Sequence, residues 1–284
     1  MAIDPSAAQS HAREVAAGER FRFGRNWRRF LALVDDARVA EAERSLQRFL
    51  GRERLDGLSF LDIGCGSGLF SLAARRLGAR VASFDYDPDS VACTRALKAR
   101  FRPGDAQWTV AQGSVLDEAF LRGLGEFDLV YSWGVLHHTG AMWRALELAA
   151  LPVRHGGLLL VAIYNDCGAT SRRWRAVKRL YNRLPAVLKP VMAALVWAFM
   201  ELREALGHAR RLQLGAYVRS LRQYRRNRGM SRWHNALDWI GGYPYEYAGA
   251  ARLVAFYAER GFAVERLEEA QGLGCHELLV RRTF

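Results

Sequence analysis

The 284-residue sequence holds only four cysteines, Cys65, Cys93, Cys167 and Cys275, scattered with no Cys-x-x-Cys spacing. That pattern supports neither a zinc knuckle nor a disulfide framework. No signal-peptide pattern precedes them, so a reducing, cytoplasmic setting is expected. Long apolar runs are missing as well. The longest, VMAALVWAFM at Val191–Met200, stops after ten residues, about half of the ~20 needed to cross a bilayer. A transmembrane helix is therefore not expected. Nor is there an internal repeat or a low-complexity tract. What is present is an apolar half, 50% of all residues, enough for a core in one large domain or a domain with a substantial insertion.

Acidic residues are scarce in one place only. Positions 165–235 carry sixteen Lys and Arg against three acids, a surplus equal to the +13 of the whole chain, and the remainder balances at 26 of each sign. The basic character belongs to a module rather than to the entire fold.

From about Ser10 to Leu50 the pattern is helical, with Phe21, Phe23, Trp27, Phe30, Leu31 and Val34 supplying apolar contacts. LSFLDIG then reads as a buried strand feeding a tight turn. Further strands are expected at RVASFDYD, QWTVAQGS, FDLVYSW and LLLVAIYND, separated by helical stretches such as SLAARRLGA, DSVACTRALKARF and MWRALELAA. Short apolar runs alternating with helices imply parallel strands joined by right-handed crossovers. A helix at EYAGAARLVAFYAERGF and strands at AVERLEEA and GCHELLVRR close the sheet. The expected fold is α/β: a doubly wound, seven-stranded, mostly parallel Rossmann-like sheet with an N-terminal helical extension and a helical insertion after strand five. The expected division is 1–54 for the extension, 55–166 for the cofactor-binding core, 167–245 for the insertion and 246–284 for the closing segment.

LDIGCGSGLF sets Asp62, Gly64, Gly66 and Gly68 at alternate positions after the first strand. Such a turn can serve only to reverse the chain. Its spacing, however, is DxGxGxG and not the GxGxxG that cradles a diphosphate, and a leading acid suits a cationic or amino-bearing ligand better. Asp85 ends the second strand, where a carboxylate can accept hydrogen bonds from both ribose hydroxyls. Asp87 and Asp89 beside it read as caps of the next helix. QGSVLD at the end of strand three places Ser114 and Val115 where an adenine would lie. Together these motifs resemble the class I S-adenosylmethionine-dependent methyltransferases over about residues 55–166 and the closing helix and strands. The resemblance implies S-adenosylmethionine as cofactor. It implies that Asp62, Gly64, Cys65, Gly66 and Gly68 shape the methionine end, that Asp85 holds the ribose, that Tyr86 and Val115 sandwich the base, and that Trp133 borders the site. Ser114 stands where many members have Asp; its hydroxyl can still accept from the adenine amino group. FRFGRNW, upstream, either packs its aromatics on the sheet or forms a flap in which Phe23, Asn26 or Trp27 covers the cofactor.

YSWGVLHHTG follows strand four, and in a parallel sheet the working face lies outside the carboxyl ends of the strands. Methyl transfer from a sulfonium is driven by its leaving group, so the protein mainly aligns the acceptor and removes a proton. An imidazole suits that task. His138 is preferred over His137 as the base, and Asp166 at the end of strand five approaches the same place; the alternative is that one histidine only packs or caps. A His-His-Asp set resembles that of some small-molecule and sugar O-methyltransferases. Adjacent histidines point apart, so no metal site is expected.

SRWHNALDWIGGYPYEYA, Ser231–Ala248, surrounds a Gly-Gly-Tyr-Pro turn with Trp233, His234, Asn235, Asp238, Trp239, Tyr243, Tyr245 and Glu246. As a lid, Trp239, Tyr243, Tyr245 and Glu246 would bind a polar ring such as a sugar or phenol; otherwise they lock the insertion onto the sheet. Arg172, with Arg173 and Lys178, would meet an anionic acceptor or form a solvated helix face. The expected reaction is O-methylation of a small polar or glycan-type acceptor, for instance a sugar or a glycolipid-type intermediate. The alternatives are an RNA methyltransferase following phosphates with the basic insertion, and a module contacting anionic membrane or a second subunit.

Overall fold

The computed structural model describes residues 5–210, 215 and 232–284. Three helices open the chain: α1 (Pro5–Ala16), α2 (Gly24–Leu31) and α3 (Asp36–Leu50). The continuous helical pattern expected from Ser10 is thus broken twice. Gly18 takes a left-handed φ of 70°, and Asp35 stops the chain to cap α3 by accepting from Arg38 N at 2.9 Å.

The core then alternates as β1 (Ser59–Ile63), α4 (Leu69–Arg76), β2 (Arg80–Asp85), α5 (Pro88–Phe101), β3 (Trp108–Gln112), α6 (Glu118–Gly123), β4 (Phe127–Trp133), a short 3-10 turn (Leu136–His138), α7 (Met142–Ala149) and β5 (Val153–Tyr164). After β5 come α8 (Ala169–Arg183), α9 (Lys189–Arg210) and α10 (Arg232–Gly241), and then α11 (Ala250–Ala258), β6 (Phe262–Glu268) and β7 (Cys275–Arg282). The arginine-rich stretch between α9 and α10, Gly215 apart, lies outside the described residues, as do the side chains of His234 and Asn235.

The seven strands form one sheet in the order β3-β2-β1-β4-β5-β7-β6. Strands β1 to β5 pair in parallel, and β7 runs antiparallel to both β5 and β6. Alternation along the strands feeds two cores. Leu61, Ile63, Val130, Leu159 and Val161 face Ala145, Leu146 and Leu253 on one side. Phe60, Leu129, Tyr131 and Leu160 face Leu46, Phe49 and Leu72 on the other. Burial of both faces explains why these strands read as continuous apolar runs.

Two local features differ from the sequence reading. β5 begins at Val153, not at the Leu158 run, because Val153 pairs with Phe127 before the register shifts; the HGG stretch is an irregularity inside the strand rather than a break before it. Helix α6, only six residues long, has no periodic signal and is set by Asp117, which accepts from Phe120 N at 3.0 Å.

Candidate functional site

The strand order reverses at β1, whose neighbours β2 and β4 are reached by crossovers in opposite directions. Such a reversal opens a crevice at the carboxyl ends of the strands. A cavity of about 550 Å³ lies there, bordered by Gly64 and Gly66 after β1, Asp85 and Tyr86 after β2, Ser114 and Val115 after β3, Trp133 after β4 and Tyr164 ending β5.

The turn after β1 is built for close approach. Gly64 has φ 76°, and a Cβ on it would lie 2.5 Å from both methyl groups of Val135. Gly66 and Gly68 also take positive φ, and Gly68 starts α4. Asp62 does not border the cavity. It is buried beneath the turn, where Ser71 Oγ donates to it at 2.5 Å and also lies 2.8 Å from Ser83 Oγ. Burial pushes its carboxyl up to about 7. Cys65 also faces inward, its Sγ accepting from Thr94 Oγ1 at 3.2 Å, and burial pushes the thiol up.

Asp85 faces the cavity while accepting from Gly66 N and Asp87 N, each at 2.9 Å. Burial first, then the charges of Asp87 and Asp62, raise its carboxyl to about 7. Asp87 caps α5 through Asp89 N at 2.9 Å and also accepts from Gly24 N at 2.7 Å. That second bond ties the N-terminal segment to the site. Gly24 is required for it, since a Cβ there would lie 2.5 Å from Asp89 Cβ. Phe23 and Trp27 consequently form one wall of the cavity. Arg20 anchors the same segment: it donates to the His138 carbonyl at 2.9 Å and stands 5.0 Å from the Tyr86 ring centroid, while Tyr86 donates to Glu14 at 2.9 Å.

His138 borders the cavity and His137 does not. The Nδ1 of His138 lies 2.6 Å from the Pro244 carbonyl oxygen, a partner that can only accept, so Nδ1 carries the proton and Nε2 the lone pair. Burial, opposed by that bond and assisted by Lys178 and Arg20, pushes the imidazole down to about 3. His137 is fully buried; its Nδ1 accepts from Tyr164 N at 3.3 Å and its ring lies 4.0 Å from that of Tyr164. It holds the β4 loop against β5.

The remaining candidates separate clearly. Trp239 and Asp238 on α10 border the cavity, and Asp238 accepts from Asn26 of the N-terminal segment. Asp166 lies exposed beyond β5 and accepts from Gly168 N at 2.8 Å, at the start of α8. Glu246 accepts from Met142 N at 3.1 Å, holding the first turn of α7. The Tyr243 hydroxyl accepts from Arg179 at 3.1 Å, and Tyr245 is buried beside Tyr164, ring centroids 5.1 Å apart. Neither tyrosine borders the cavity, and Arg172 lies exposed on α8. Lys178, buried, donates to the Trp239 carbonyl with its ammonium 4.1 Å from the Trp239 ring; burial lowers its pKa to about 7. Sequence reasoning missed Tyr164 and Arg20. The first was findable as the last residue of a parallel strand; the second has no local signal. Among the described residues no cluster of His, Cys, Asp and Glu could hold a metal ion.

The donor set fits S-adenosylmethionine. A turn with no room for side chains borders the cavity where the methionine end would lie, the Asp85 carboxylate can accept from ribose hydroxyls, and Val115 and Leu116 offer apolar surface beside Ser114 for a base. Comparison with known proteins agrees. The family described as "Methyltransferase domain" matches residues 33–224. A ubiquinone biosynthesis O-methyltransferase of Methylobacterium sp. (strain 4-46) is 32% identical over 178 residues, 57% of this chain and 66% of that protein. Its counterpart in Caulobacter sp. (strain K31) is 32% identical over 133 residues, 43% of this chain and 49% of that protein. The matched region thus spans about half to two thirds of those relatives. In fold, the chain is similar to magnesium protoporphyrin IX methyltransferase of Synechocystis PCC 6803, solved with bound SAH, at TM-score 0.51 and 14% identity over 86% of this chain and 83% of that one. With the family matched over most of its length and the strand order and glycine turn in place, the chain belongs to the class I S-adenosylmethionine-dependent methyltransferases.

Proposed function

We propose that this protein methylates a ring hydroxyl, of the phenol type, on a small acceptor. The observation that carries the reading is His138: an imidazole at the cavity wall, its Nδ1–H held by the Pro244 carbonyl at 2.6 Å, so that Nε2 is the acceptor. Bound S-adenosylmethionine supplies an electrophilic methyl group on a sulfonium. The chain's own residues then have two tasks. Phe23, Trp27, Trp133, Tyr164 and Trp239 surround the acceptor with aromatic faces that exclude water and orient a flat ring. His138 Nε2 accepts the hydroxyl hydrogen bond, which aims an oxygen lone pair at the methyl group.

A base lowered to about 3 is weak, but weakness is tolerable here. A hydroxyl oxygen gains acidity as its bond to the methyl carbon forms, so the proton passes late to His138 Nε2, which is unprotonated at working pH, and the resulting imidazolium releases it to solvent. The O-methyltransferase relatives support the same reaction class. The test is turnover with ortho-dihydroxybenzenes against polyhydroxylated ring alcohols, read by mass spectrometry of the methylated product. Methylation of the phenols, lost in His138→Ala with cofactor binding intact, supports the reading. Methylation of the sugar-like alcohols alone, or full activity of His138→Ala, overturns it.

A further inference from the structure

Helix α9 is amphipathic with its apolar face outward. Its inner side, Met192, Ala193 and Val196, packs on Leu237 and Ile240 of α10 and on Tyr181 of α8. On the other side Val191, Leu195, Phe199, Leu202 and Leu206 recur every three or four residues, one continuous face. Leu195 is 68% exposed, Leu202 60% and Phe199 58%. The α8–α9 loop extends it with Val187, 79% exposed, and Leu188. An apolar stripe this continuous on a helical surface marks an interaction site.

The charges around the stripe choose the partner. Across α8 and α9 there are nine Lys and Arg against two acids, Glu201 and Glu204. Both acids are half-buried; Glu204 stands two residues from both Leu202 and Leu206, roughly 160° away, and Glu201 stands beside Leu202, roughly 100° away. Arg203 and Arg210, seven residues apart, are exposed along one edge of the stripe, and Arg172, Arg173, Arg175, Arg179 and Arg183 are exposed on α8. Apolar side chains to immerse, cations at their border and acids turned off the stripe complement an anionic phospholipid surface. No described helix is long and apolar enough to cross a membrane, so α9, about 33 Å long at 1.5 Å per residue, would lie flat.

We infer that the outer face of α9 and the preceding loop dock the protein on a bilayer containing anionic phospholipid. The inference is independent of the acceptor, because none of these residues borders the cavity. The test is co-sedimentation of the full chain with vesicles of phosphatidylcholine, with and without phosphatidylglycerol, at low and high salt. The expected result is binding only to the anionic vesicles, weakened by salt and by Arg203→Glu/Arg210→Glu, and reduced to background in Leu195→Glu/Phe199→Glu that still binds S-adenosylhomocysteine. Three results would overturn it: no binding of the unmodified protein; undiminished binding of the Leu195→Glu/Phe199→Glu variant, which means mere adsorption by arginines; or a dimer in sedimentation velocity that this variant breaks, which means that a second copy covers the face.

Discussion

His138 Nδ1 and the carbonyl oxygen of Pro244 stand 2.6 Å apart, joining the loop after β4 to the segment that follows α10. The bond fixes the tautomer of an imidazole at the cavity wall and so decides which nitrogen can take a proton. Replacing His138 by Ala is expected to lower kcat by roughly 10²–10⁴, the range for a positioned general base. Calorimetric affinity for S-adenosylhomocysteine should stay within a few-fold. Loss of both together would mean that His138 holds the fold rather than the proton.

Asp85 carries a carboxyl raised to about 7 mainly by burial. Its ionised form is the better acceptor for ribose hydroxyls, so cofactor affinity is expected to rise as pH increases through about 7 and to fall below it. Asp85→Asn should flatten that dependence and weaken binding by roughly ten- to hundredfold, one hydrogen bond to a charged group being worth about 1.5–3 kcal/mol. Titration calorimetry on either side of pH 7 reads both effects, and a flat profile for the unmodified protein would remove the ribose assignment.

Lys178 provides a second pH test, read in stability rather than in binding. Its pKa falls from 10.5 to about 7 on folding because burial disfavours the ammonium. Between those values the unfolded chain binds the proton and the folded chain does not, so its contribution to stability rises with pH from about 7 and is least favourable below that. Lys178→Met should therefore gain Tm relative to the unmodified protein at pH 6 and keep less than half of that advantage at pH 9, still below the 10.5 of the unfolded amine. Parallel curves at both pH values would show that the buried amine does not titrate.

Gly64→Ala combines a left-handed φ of 76° with a Cβ placed 2.5 Å from the Val135 methyls. Strain of this kind costs about 1–3 kcal/mol, and any relief moves the turn that borders the cavity. Lower Tm together with weakened cofactor binding is expected. Val135→Ala in the same chain should recover part of the Tm and less of the binding, since the backbone strain remains.

Much of the core was legible because its signals are local. DxGxGxG after a buried run, an acid ending the next strand and QGSVLD after the third each lie within a few residues of a strand end, where a parallel sheet puts its working face. The histidine pair was half legible. Its place in the loop after β4 follows from sequence order, whereas the choice between neighbours depends on Pro244 and Tyr164, 106 and 27 residues away along the chain. The aromatic turn around Tyr243 divides in the same way. Trp239 reaches the cavity while Tyr243, Tyr245 and Glu246 brace the insertion against α7, α8 and β5, and nothing in their composition distinguishes the two roles.

By itself, then, the sequence determined the doubly wound sheet, the glycine turn after the first strand and the concentration of positive charge, since each follows from periodicity, backbone conformational need or simple counting. Only the tertiary structure decided that Asp62 supports the turn from beneath, that Phe23 and Trp27 wall the cavity, that Lys178 is buried beside an indole, and that α9 turns its apolar side outward. The physical reason is common to all four. Burial, and the hydrogen bonds and pKa values that depend on it, are set by segments remote in sequence, and no local pattern records which of them arrives.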